Sequence, residues 1–128
     1  MRHLFKTFTD RHRVNLDISN KCTLECIACS RQTNRFEGNP IPGYDTSISQ
    51  WTKLCKHFRH LCLCGQISDP IFNPNLSKFV EIAKQHKIEY LSIHTAATAK
   101  HRKFDWYKKN KRNLSSKNTL EVWFRWFC

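Results

Sequence analysis

Cys22, Cys26 and Cys29 fall within eight residues, and their thiols are the groups in this chain best suited to chemistry. Their spacing is C-x3-C-x2-C. The neighbours Lys21, Thr23 and Glu25 are polar, so three buried structural thiols would fit the segment poorly. A disulfide between two of them is disfavoured in a reducing compartment. A structural zinc ion normally takes four protein ligands, often from C-x2-C pairs. One of the seven histidines, or another cysteine, could complete such a set. A cuboidal [4Fe–4S] cluster is the fourth reading. It has four iron corners, normally held by four thiolates. Three thiolates on one loop leave one iron open to a non-protein ligand, and an open position separates a catalytic metal centre from a closed structural one. Ferredoxin-type runs are spaced C-x2-C-x2-C instead.

Something must position this loop. Val14, Leu16 and Ile18 alternate with Asn15, Asp17 and Ser19, which predicts a strand over 13–19 running straight into the cysteines. Residues 33–46 hold two prolines and two glycines and read as a loop. Ser47 and Gln50 have the spacing of a capping box. Trp51, Leu54, Cys55 and Phe58 then recur as one helical face. Leu61–Cys64, closed by Gly65, reads as a short buried strand. Asn75 is placed to cap a helix whose stripe is Leu76, Phe79, Val80 and Ala83. Residues 88–95 read as a third strand and 103–112 as a very basic third helix. Strand and helix alternate three times, the order expected of a parallel sheet with crossover helices.

The formal net charge is +12, with basic residues gathered at 100–112 and near the N-terminus. Cations displace counterions from phosphates, so the basic run with Trp106 and Tyr107 could serve nucleic acid; a solvated helix face is the plainer reading. The basic start MRHLFKTFTDRHR leads into no apolar segment of signal-peptide type. No run approaches the roughly 18 apolar residues of a membrane span. The expectation is therefore a cytoplasmic chain with no membrane contact. Cys55, Cys62 and Cys64 fall on a predicted helix and strand and read as small buried residues.

With the strand before them, the cysteines in "LDISNKCTLECIACSR" resemble the loop of the radical S-adenosylmethionine (radical SAM) superfamily, whose signature is CxxxCxxC after the first strand of a (βα) barrel. Ala28 stands where many members have an aromatic residue. The resemblance implies that Cys22, Cys26 and Cys29 hold a [4Fe–4S] cluster and that SAM chelates the open iron. It implies reductive cleavage of SAM to methionine and a 5′-deoxyadenosyl radical. An electron donor of flavodoxin or ferredoxin type would be a partner. The family also carries a glycine-rich turn after the second strand, beside the SAM amine. "CGQISDP" looks like its G-x-x-x-D-P form, which implies that Gly65 and Asp69 lie near SAM. After the third strand, Thr95 matches a family turn that Ala96 and Ala97 do not.

The resemblance covers residues 13–112, about three βα units of the usual six, and so implies a partial α/β barrel. Residues 1–12 are then a basic lead. Residues 113–128 are a tail that starts a fourth strand or, from the odd run Val122–Phe127, a frameshifted end. A truncated core is the expectation, inactive, self-associating, or completed by another chain. The rival expectation is a basic zinc-knuckle module that binds nucleic acid.

Overall fold

A computed structural model describes residues 13–96 and, as backbone, Thr119–Phe124. The predicted basic lead and the predicted helix over 103–112, with Trp106 and Tyr107, lie outside the described residues. Four strands form one parallel sheet in the order of the chain: β1 (Arg13–Asn15), β2 (His60–Leu63), β3 (Tyr90–Thr95) and β4 (Thr119–Phe124). The chain is thus mixed α/β, as the alternation predicts, and its tail contributes a fourth strand. Among the described residues β1 and β4 are the two edges.

β1 is shorter than the predicted 13–19, yet the alternation persists past its end. Leu16 N–H still donates to Cys62 O at 2.8 Å. Val14 and Leu16 pack against the core and Ile18 is buried in it. Ser19 departs from the pattern, because it is buried where alternation would expose it. β2 and β3 add Leu61, Leu63, Leu91 and Ile93 to the same core. Successive side chains of a strand point to opposite faces. Asn15, Cys62 and Ser92, aligned across β1–β3, therefore sit on the face turned away from that core.

Two helices cover the apolar face. In α2 (Ile48–His57) the capping box is complete: Ser47 Oγ accepts from Gln50 N–H and Gln50 Oε1 accepts from Ser47 N–H. α3 (Leu76–Gln85) buries Leu76, Phe79, Val80, Ile82 and Ala83. The helices meet where Trp51 stacks on Phe79, ring centroids 4.7 Å apart and planes 10° from parallel. Trp51 Nε1–H donates to Phe79 O at 2.9 Å, so the indole is buried with its polar atom satisfied. Each fully buried Leu, Ile or Phe here contributes about 1.5–3 kcal/mol of transfer free energy.

Two expectations are corrected. The stretch 33–46 is not all loop, because α1 (Ser30–Phe36) occupies its start. This helix has no apolar stripe and buries only Gln32, so nothing in its periodicity announces it. Asn75 does sit at the N-cap of α3, but its side chain makes no capping bond. Asn73 does the anchoring instead. Wholly buried, its Nδ2 donates to Ile18 O at 2.6 Å and Thr46 O at 3.1 Å, and its Oδ1 accepts from Asn75 N–H at 2.8 Å. That one amide ties the end of the first strand segment to the start of α3.

Candidate functional site

In a parallel sheet, ligands sit beyond the carboxyl ends of the strands, where the loops leave the sheet. Here the segment after β1 carries the three cysteines, the loop after β2 carries Gly65–Asp69, and β3 ends at Thr95. The side chains or backbone of Cys22, Cys26, Cys29, Gly65 and Asp69 all line one cleft, together with Arg31, Ser68, His94 and Ala96. Five positions expected from the sequence are thus brought to one place, although more than forty residues separate Cys22 from Asp69.

The cysteine loop is held at both ends. On its entry side Lys21 O accepts from Asp69 N–H at 2.9 Å, which stitches it to the loop after β2. Ser19 Oγ donates to Asp45 Oδ1 at 2.6 Å and Lys21 Nζ pairs with Asp45 Oδ2 at 2.7 Å. Burial raises the Asp45 carboxyl, but the hydrogen bonds from Lys21 and Ser19 and the Lys21 charge outweigh it and hold the group below its ordinary range. On the exit side Cys29 N–H donates to Cys26 O at 3.0 Å, and Cys29 is the N-cap residue of α1. Its backbone carbonyl accepts from Gln32 and Thr33. Between these anchors Ile27 stands 97% exposed.

Gly65 is demanded by geometry. Its φ is +53°, and a Cβ there would lie 2.1 Å from Ser68 O. The turn folds back on itself so tightly that any side chain must displace backbone. Ser68 Oγ then donates to Asp17 Oδ1 at 2.9 Å, which returns the loop to the first strand segment.

Asp69 is buried, and its carboxylate is engaged. Oδ1 accepts from Ile71 N–H at 3.1 Å and caps the 3-10 turn Pro70–Phe72. Oδ2 accepts from Thr95 Oγ1 and from Ala96 N–H, each at 2.9 Å. It thus joins the ends of β2 and β3. Thr95, matched by the family turn, finds its role in this bond.

The remaining thiols divide by burial. Cys55 and Cys62 are buried and Cys64 is half-buried, and none of the three lines the cleft. Burial pushes the Cys55 thiol up to about 12. Cys22 and Cys29 are free and partly exposed, whereas Cys26 is half of a disulfide. That differs from the all-thiol loop expected of a reducing compartment.

Among the described residues no three His, Cys, Asp or Glu are grouped closely enough to hold a single metal ion. A cluster asks something different of its ligands. Each thiolate holds a separate iron corner, so the sulfurs stand around a volume and are not drawn onto one point. Cys22, Cys26 and Cys29 border one cleft and are of the donor type that such a cluster takes. Because a metal ligand is a thiolate, Cys26 must first be reduced.

Sequence reasoning missed Arg31. Its Nη1 donates to Asn20 O and, at 3.4 Å, to Ile67 O, bridging the cysteine loop and the loop after β2. No protein-family model, no curated protein and no solved structure matches this chain. Among the described residues no helix is long and apolar enough to cross a membrane.

Proposed function

We propose that the chain is a partial (βα) barrel of the radical SAM type that binds a [4Fe–4S] cluster through Cys22, Cys26 and Cys29. The observation that carries this reading is the meeting of those cysteines with Gly65 and Asp69 in one cleft at the carboxyl ends of parallel strands. A cluster held by Cys22, Cys26 and Cys29 would supply the electron for reductive cleavage of SAM, the chemistry that the resemblance implies.

The chain's own residues have separable tasks. Cys22 and Cys29 offer free, partly exposed thiols, and Cys26 joins them once its disulfide is reduced. A cytoplasmic setting favours that reduction. Gly65 lets the turn through Gln66 and Ile67 present backbone to a ligand at close range. Asp69, with three donors already on its carboxylate, holds that turn against β3 and so fixes where the SAM amine would be received. Among the described residues β4 is an edge strand, and its outer side would offer backbone groups to a completing chain or a second copy. A flavodoxin- or ferredoxin-type carrier would deliver the electron.

The test is anaerobic reconstitution of the reduced chain with iron and sulfide. The expected result is a brown protein whose reduced-cluster EPR signal shifts when SAM is added. A colourless protein that holds one zinc and binds nucleic acid without regard to SAM would overturn the proposal in favour of a zinc-knuckle module.

A further inference from the structure

Arg31 follows Cys29 by two residues, in the first turn of α1, and brings a fixed positive charge to the cleft. Its hydrogen bonds go to two backbone carbonyls, Asn20 O and Ile67 O. Its Nε is buried with no hydrogen-bond partner. No carboxylate among the described residues forms an ion pair with it. Two carbonyls could be bridged by an uncharged amide at a smaller desolvation cost. Arg31 is half-buried, and the Asp69 carboxylate on the wall of the same cleft is already engaged by Ile71, Thr95 and Ala96. The unpaired Arg31 charge is explained if the countercharge arrives with a ligand held by the three cysteines that share the cleft.

We infer that Arg31 is a positioning residue whose charge compensates the thiolate-ligated cluster and raises its reduction potential. The inference rests on the function proposed above. Reduction adds one electron, taken from an external donor, and no bond to Arg31 forms or breaks. A nearby cation stabilises the more negative, reduced form more than the oxidised one. In a partly enclosed cleft that difference exceeds its value in open water. Cluster potentials respond to net charge, hydrogen bonding and exposure in this way. The clasp across the two loops holds the charge in place.

The full chain would be reconstituted as wild type, Arg31→Lys, Arg31→Gln and Arg35→Gln. Arg35 lies on the same helix but is exposed and paired with Glu25 at 3.8 Å, so it controls for net charge alone. The expected result is equal iron per chain in all four. The cluster potential should be displaced to more negative values in Arg31→Gln and lie close to wild type in Arg31→Lys and Arg35→Gln. Should Arg31→Gln prove unfolded, Arg31→Met keeps the stem, drops the charge and makes the same comparison. A potential unmoved by loss of the Arg31 charge overturns the inference and leaves the cluster proposal standing. So does an equal displacement in Arg35→Gln. A wild-type chain that takes up no iron overturns both.

Discussion

The Asp69 carboxylate accepts the Thr95 hydroxyl at 2.9 Å, joining the loop after β2 to the last residue of β3. The same oxygen takes Ala96 N–H and the other oxygen takes Ile71 N–H. Both groups of the pair are buried, so the bond is shielded from competing water. Asp69→Asn should therefore cost about 1–3 kcal/mol, the cost of leaving buried donors unmatched, read by urea denaturation. In a double-mutant cycle with Thr95→Val the losses should be less than additive. Full additivity would mean that the two do not interact.

Gly65→Ala places a Cβ 2.1 Å from Ser68 O at a φ of +53°. The backbone must move, at roughly 1–3 kcal/mol, and the turn bordering the cleft moves with it. Gly38 also has positive φ, at +71°, but nothing lies within 4 Å of a Cβ there. Gly38→Ala should therefore be the milder of the two, and a comparison of their thermal midpoints checks the order.

Asp45 has a carboxyl below its ordinary 3.8 in the folded state. A group depressed on folding contributes stability that is complete above its unfolded value and is lost as pH falls toward the folded one. The wild-type thermal midpoint should therefore drop as pH falls from about 3.8, and Asp45→Asn should flatten that drop. A parallel pH dependence in both proteins would count against the Lys21–Asp45–Ser19 arrangement as its source.

Thiol reactivity should follow position. Cys22 and Cys29 should alkylate in the folded chain, whereas Cys55, buried and pushed up to about 12, should react only on unfolding. Cys26 should become alkylatable after disulfide reduction. Iron uptake should be lost in Cys22→Ala, Cys26→Ala and Cys29→Ala and kept in Cys62→Ala, measured as iron per chain.

What could be read beforehand was whatever depends on neighbours in sequence. The Ser47–Gln50 box spans three residues and appears with both bonds made. The alternation Val14, Leu16, Ile18 and the stripe Leu76, Phe79, Val80, Ala83 each record one buried face, and burial follows them. Helix α1 escaped because it buries no apolar face and so leaves no period to detect. Asn73 and Arg31 escaped for another reason. Their partners Ile18 and Ile67 lie 55 and 36 residues away, and nothing local distinguishes such a residue from its exposed counterparts. The cysteines were legible as a set because their spacing is itself local. Their meeting with Gly65 and Asp69 was legible only through a family resemblance, whereas the three bonds that occupy the Asp69 carboxylate belong to the fold.

The strands lie side by side in the order in which the chain is written. Each new strand therefore finds its hydrogen-bonding neighbour already made and waits for nothing downstream. A ribosome delivers residues in that same direction and slowly enough for a folded unit to form behind it. The sheet can accordingly be assembled as it is synthesised. The cysteine loop, emerging ahead of Asp69, has Lys21 ready when that residue arrives, so the cleft can begin to close before β3 has left the ribosome.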